Sequence, residues 1–203
     1  MTNNYNDEVI IALDIGTSKV LCLVADYDED NVLRIIGVGQ EACEGLNKGV
    51  ISEIGTTVNS IRRAKDKAST MATIKLESVT TGIAGSHIQS YNGNSDLNIL
   101  NDEVTEEDKE KVIDMASDIS IPEDQEVLHI IPQYFTIDGQ SGIREPVGMA
   151  GKRLGVNVHL ITCSSTAKKN LTKCIENSLL DVDLCVLQPV ASSYSVLTEE
   201  ERS

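Results

Sequence analysis

The chain has 203 residues, of which 40% are hydrophobic, and a formal net charge of −15 at pH 7. That length and apolar content suffice for one large domain or two small ones with real cores, and they exclude a disordered chain. So acidic a body repels nucleic acid and anionic lipid, which both need cationic partners, and the excess charge reads as a solubilising surface.

With no Trp and a single Phe, any core must be built from Ile, Val, Leu, Met and Ala. No apolar run reaches the roughly 18 residues a spanning helix needs. Residues 1–7 are polar and carry no basic segment ahead of an apolar one, so they do not form a secretory signal. The expectation is a chain made and kept in the cytoplasm. Its five cysteines, Cys22, Cys43, Cys163, Cys174 and Cys185, are scattered and odd in number. That pattern fits reduced thiols and neither a disulfide framework nor a zinc site. Cys22 and Cys185 sit in apolar runs and read as small core residues. His87, His129 and His159 each fall in a strand-like run and read as structural.

In chain order, residues 9–15, 20–25 and 32–38 are apolar runs separated by short polar connections, the pattern of a three-stranded antiparallel meander. Ile51, Ile54, Val58, Ile61, Ala64, Ala68 and Met71 then step by three or four, which predicts a helix with one apolar face. A β-branched run over 78–84 predicts a fourth strand. The pattern changes after Gly85. Residues 87–91 are compatible with a strand, whereas 92–101 are rich in Asn, Asp, Gly and Ser. Thr105-Glu106-Glu107-Asp108 resembles a capping box, with acidic side chains at the positive end of a helix. Residues 127–137 form a long strand-like run interrupted by Pro132, which suits an edge or a bulge. Residues 156–162 form another strand. The stretch 86–163 thus reads as a strand–helix–strand–strand module inserted into the chain. Afterwards Ser164 or Ser165 can cap a helix carrying Leu171, Cys174, Ile175 and Leu179. Residues 182–187 read as a buried strand, and Pro189 opens a helix whose face continues through Val190, Tyr194 and Leu197. Antiparallel strands first, then strands reached through helices, describe an α/β mixed sheet of ribonuclease-H-like connectivity.

Two motifs can carry chemistry. In Asp14-Ile15-Gly16-Thr17-Ser18-Lys19, a carboxylate ends a strand expected to be buried, which is costly without a partner such as a hydrated cation. Gly16 permits close backbone approach, amide groups in a tight turn can form an anion nest, and Thr17, Ser18 and Lys19 add donors. The set suits a phosphate with a divalent metal held through one carboxylate and several waters. In Leu187-Gln188-Pro189, a Gln at the carboxyl end of a strand can orient a water.

The hairpin motif, with the meander, helix and strand after it, is similar to the first phosphate loop of the actin and Hsp70 superfamily. His129-Ile130-Ile131-Pro132-Gln133, Ile137-Asp138, Gly142-Ile143, Pro146-Val147-Gly148, residues 158–163 and residues 191–199 narrow the likeness. Together they resemble the FtsA family of bacterial cell-division proteins over essentially the whole chain from Val9. The resemblance implies an actin-like ATPase fold. Residues 1–85 and 164–203 would form a discontinuous subdomain 1A, and 86–163 an inserted SHS2-type subdomain, 1C. It implies ATP and Mg2+ as cofactors, with Gly16, Thr17, Ser18 and Lys19 facing the phosphates. Asp14 would contact the metal's water shell, and Gln188 would lie near the attacking water as the one catalytic candidate. Any ATPase activity would be weak. It implies polymerisation with further FtsA copies, tethering of the FtsZ ring at the inner face of the plasma membrane, and contacts of residues 86–163 with later division proteins such as FtsN. The second phosphate loop, the FtsZ-binding subdomain and a terminal amphipathic membrane helix of that family are not within these 203 residues. The chain is therefore expected to be a truncated product that binds ATP poorly. The rival readings are a PilM-like pilus-assembly homologue and a sugar kinase of the same superfamily; no sugar-site carboxylate stands out for the latter.

Overall fold

The structure, a computed structural model, describes residues 9–202. In chain order the elements are β1 (Ile10–Ile15), β2 (Lys19–Tyr27), β3 (Leu33–Ala42), β4 (Leu46–Asn47), β5 (Val50–Ile51), α1 (Ile54–Ala72), β6 (Ser78–Ile83) and β7 (Gln89–Asn98). They continue with α2 (Glu106–Ser117), β8 (Gln125–Ile137), β9 (Gln140–Ile143), β10 (Arg153–Ser164), α3 (Ser165–Glu176), β11 (Asp181–Leu187), α4 (Gln188–Val196) and α5 (Glu199–Arg202). The described residues divide into two compact units, 9–87 with 166–202, and Ile88–Ser165.

The first unit is built on a five-stranded sheet in the order β11-β6-β1-β2-β3. β1, β2 and β3 pair antiparallel, as the short connections predict, while β6 and β11 join in parallel. The β2–β3 turn is set by Asp28, whose carboxylate accepts from the amides of Asp30 at 3.0 Å and Val32 at 2.9 Å. α1 buries Val58, Ile61, Ala64 and Ala68 against the sheet. The contact is close because the strand offers glycines: a Cβ on Gly39 would fall 1.8 Å from the Ala64 carbonyl oxygen. Lys65 and Arg62 of α1 donate to the carbonyls of Ser178 and Asn177 just beyond α3, satisfying acceptors that a helix end leaves orphaned.

Three expectations change here. Ile51 belongs to a small β4–β5 hairpin and not to α1, because Lys48 and Gly49 adopt φ of 49° and 80°, the paired left-handed conformations of a two-residue hairpin turn. β11 is an edge strand in this sheet, so Asp181, Asp183 and Leu184 are exposed where a buried strand was expected. α4 ends at Val196 and buries no residue; Tyr194 is exposed, with Arg202 lying 4.5 Å over its ring.

The second unit is a four-stranded antiparallel sheet, β7-β10-β8-β9, with α2 on one face. Its core gathers Val112 and Ala116 of α2 with Phe135, Leu154, Val156, Val158 and Leu160. The expected capping box is present: the Thr105 hydroxyl accepts from the Asp108 amide at 3.2 Å, and the Asp108 carboxylate accepts from the Thr105 amide at 3.1 Å. Pro132 sits beside a register shift, the bulge its missing N–H calls for. The strand compatible with residues 87–91 continues through the polar stretch after it as β7, paired residue for residue with β10 from Gln89 to Asn98. β9 adds a short strand to the expected order, reached through a hairpin turn at Asp138-Gly139 (φ 49° and 90°). His129 and His159 lie in strands, but His87 lies outside them. All five cysteines are buried and unbridged.

Candidate functional site

The site candidates meet within the first unit, at the carboxyl ends of β1, β6 and β11. Asp14 is the penultimate residue of β1, and Gln188 follows β11 as the first residue of α4. Although 174 positions apart, they touch: Gln188 Nε2 donates to Asp14 Oδ1 at 2.7 Å. Strand order explains the meeting. β6 lies between β1 and β11, with Leu13 opposite Thr81 and Val186 opposite Gly82, so the two strand ends project on either side of Gly82. The buried Thr81 hydroxyl donates to the Leu13 carbonyl at 3.0 Å and locks that register one residue before Asp14.

Next to this pair is the Gly16–Lys19 turn. Thr17, Ser18 and Lys19 are exposed. Two expectations need correction. Asp14 is itself exposed, because it points away from the α1 face, so no burial cost demands a cation beside it; its partner is the Gln188 amide. The Gly16 amide is not free to form a nest with its neighbours, since it closes the hairpin by donating to the Lys19 carbonyl at 2.9 Å. The Ser18 carbonyl accepts from the Cys43 amide at 3.1 Å, so the turn is also held from β3's end.

Two clefts flank Gln188. One, of about 210 Å³, is lined by Ile15, Gly16 and Thr17, by the β4–β5 hairpin, and by Ala167 and Leu171 of α3. The other, of about 290 Å³, runs along Ala12 and Asp14, Leu21 and Leu23, Thr80, and Ala191 and Ser192 of α4. Gly82 and Gln188 line both. Among the described residues no group of three or more His, Cys, Asp or Glu is placed to hold a metal by protein ligands alone. The donor set fits a metal carried in by a phosphate ligand, since such a metal needs only one carboxylate and water from the protein. Sequence reasoning missed Gly82. Its signal was a lone glycine in the run Ser78-Val79-Thr80-Thr81-Gly82-Ile83, where a missing side chain marks close approach.

In the second unit, β7 is an edge strand, and β8 exposes Val127, Ile130 and Tyr134. His159 Nδ1 lies 2.7 Å from Asn92 Oδ1 across the β7–β10 pair. Burial holds His129 below the usual histidine range. Among the described residues no helix is long and apolar enough to cross a membrane.

Comparison with known proteins places these features. A family model described as the SHS2 domain inserted in FTSA matches residues 85–162. The chain is 45% identical over 202 residues to the cell division protein FtsA of Pseudomonas aeruginosa, covering 100% of the chain and 48% of that protein. It is 40% identical over 195 residues to FtsA of Escherichia coli, covering 96% of the chain and 46% of the relative. The chain thus spans about half the length of the curated relatives it matches. Among solved structures, a PilM–PilN type IV pilus biogenesis complex aligns with a TM-score of 0.59 at 14% identity, over 91% of this chain and 49% of that one, which shows a shared fold. The mixed sheet, the inserted module matched at residues 85–162 and the identity along the whole length together make this chain similar, over about half of their length, to FtsA cell division proteins.

Proposed function

We propose that the first unit forms one wall of an ATP–Mg2+ cleft in a cell-division protein. In this reading the amides and hydroxyls of Thr17 and Ser18 and the Lys19 ammonium take the phosphates. Gly16 shapes the turn and lets the ligand approach. Asp14 holds the water shell of the metal, and Gln188 lies where an attacking water would be oriented. The observation that carries the reading is the 2.7 Å contact joining Gln188 to Asp14 beside the Gly16–Lys19 turn, which gathers acceptor, donor and turn at one set of strand ends. Ligands of open α/β sheets bind at such carboxyl ends.

In the intact protein this wall would serve an actin-like component that polymerises with its own copies, helps assemble the FtsZ ring and anchors it to the cytoplasmic membrane. Residues 1–85 and 164–203 would act as subdomain 1A. Residues 86–163 would act as subdomain 1C, contacting neighbouring copies and later division proteins such as FtsN through the β7 edge or the α2 face. FtsZ and membrane contacts would come from regions outside these 203 residues. Deleting 86–163 from the intact protein is expected to abolish division and spare FtsZ binding.

Titration of Mg–ATP into the 15N-labelled chain tests the nucleotide wall. Resonances of residues 14–19 and 188 are expected to move, with weak affinity because one wall supplies only part of the contacts. No movement there at millimolar Mg–ATP would refute the phosphate role, and micromolar affinity would refute the view that a second wall is needed.

A further inference from the structure

We propose that Gly82 is a positioning residue of this site: its missing side chain seats the stem of Gln188 and so fixes the Gln188 amide on the Asp14 carboxylate. The inference rests on the reading of Asp14 and Gln188 as parts of the nucleotide wall, and it adds a residue that acts through the Gln188 side chain.

The argument is geometric. A Cβ on Gly82 would lie 2.6 Å from Gln188 Cγ, 3.3 Å from Nε2 and 3.4 Å from Cδ. All three nearest atoms belong to Gln188, so a methyl group at this position challenges that one side chain. Gln188 Cγ is close to its backbone, where α4 begins with Pro189 in the first turn. The stem therefore cannot give way by moving its tip alone; it must change rotamer. A rotamer change carries the amide away from Asp14 Oδ1, now 2.7 Å distant. The backbone beneath is fixed independently by the Thr81–Leu13 hydrogen bond and the parallel pairing of β6 with β1 and β11. An added methyl is thus accommodated by the Gln188 side chain, and the sheet stays where it is.

Two consequences separate this seat from general packing. G82A should leave the fold intact yet disconnect Gln188 from Asp14. In a Q188A background, where Cγ is absent, G82A should do nothing further. The experiment uses the 15N-labelled chain, with the Gln188 side-chain amide signals assigned by their loss in Q188A. D14N is expected to shift those signals in the parent chain and to leave them unmoved in G82A, while the thermal melt followed by circular dichroism barely changes. In Mg–ATP titrations the half-saturating concentration read at residues 14–19 should rise by about tenfold in G82A and in Q188A alike, with no added loss in the double variant.

A Gln188 signal that still answers D14N in G82A overturns the seat. So does a loss in the double variant equal to the product of the two single losses. If the parent chain shows the D14N response but no answer to Mg–ATP, the nucleotide reading falls while the seat stands. If the parent chain shows no D14N response, the seat itself falls.

Discussion

Replacing Gly39 with alanine tests how closely α1 lies on its sheet. The new Cβ would stand 1.8 Å from the Ala64 carbonyl oxygen and 2.8 Å from both the Ala64 carbonyl carbon and the Ala68 amide nitrogen. Each of those atoms is backbone, so no rotamer change relieves the clash. Ordinary contact begins at 3.4 Å, so the helix must retreat by roughly 1.6 Å at that point, more than overpacked cores usually absorb. A gap of 0.5–1 Å already forfeits a quarter to a half of a dispersion well. The retreat would loosen Val58, Ile61, Ala64 and Ala68 together, all at most 8% exposed. Overpacking typically costs about 1–3 kcal/mol; with a rigid helix displaced, at least about 3 kcal/mol is expected here, a large share of a domain's usual stability. The assay is urea unfolding followed by circular dichroism, with hydrogen exchange separating the two units. Amides of α1 and β3 should lose protection, and those of Ile88–Ser165 should keep theirs. A loss below about 1 kcal/mol with α1 still protected would refute the close-packing argument.

Gly55, in the first turn of α1, meets nothing within 4 Å of an added Cβ. G55A should therefore raise stability by about 0.5–1 kcal/mol, read as an upward shift in Tm. T105A should cost about 1 kcal/mol in the second unit by removing the α2 cap, measured by urea midpoint or by exchange in α2. The Thr105 hydroxyl, and then the Thr105 amide, hold the Asp108 carboxyl below its ordinary range. The cap's contribution is therefore present above that range and is lost as pH falls through the lowered value, so T105A should flatten the acid limb of a stability–pH curve. Burial pushes the Cys22 and Cys174 thiols up to about 11. Neutral iodoacetamide should leave both unmodified until urea unfolds the chain, and mass spectrometry of the labelled peptides reads the result.

Much of the fold could be read where one local rule decides the outcome. α1's stripe, the Thr105–Asp108 box and the bulge at Pro132 each follow from spacing or from a missing donor. Where a distant strand decides, local reading failed. β7 is Gln89-Ser90-Tyr91-Asn92-Gly93-Asn94-Ser95-Asp96-Leu97-Asn98, a sequence with little strand propensity of its own. It is a strand because β10 supplies ten partners and α2 covers Gly93, where a Cβ would meet the Ala116 carbonyl oxygen at 2.0 Å. The turn residues Lys48-Gly49 and Asp138-Gly139 end in the glycine that a two-residue hairpin turn favours, a local signal for β4–β5 and β8–β9. At the site, the sequence motifs pointed to Asp14 and Gln188 separately. Their contact, the exposure of Asp14 and the engagement of the Gly16 amide depend on strand order, which no single stretch encodes.

The way β7 and β10 share their ends has a consequence for chain entropy. Gln89 pairs with Thr162, so the chain enters and leaves the second unit through adjacent, antiparallel positions. Residues opposite each other in such a ladder are only about 5 Å apart. For the polymer that must close the first unit, the whole stretch between them counts as a very short loop. Loop-closure entropy grows with the logarithm of loop length, and here the inserted unit's own folding has already shortened the effective loop to a turn. The order of events then matters. If β7 and β10 pair first, closing β6 onto β11 carries almost no penalty for the length of the insert. If they do not, the first unit must close over a long flexible chain. A mutation that unfolds only the insert would thus tax its host through loop entropy, even with every contact inside the host unit intact.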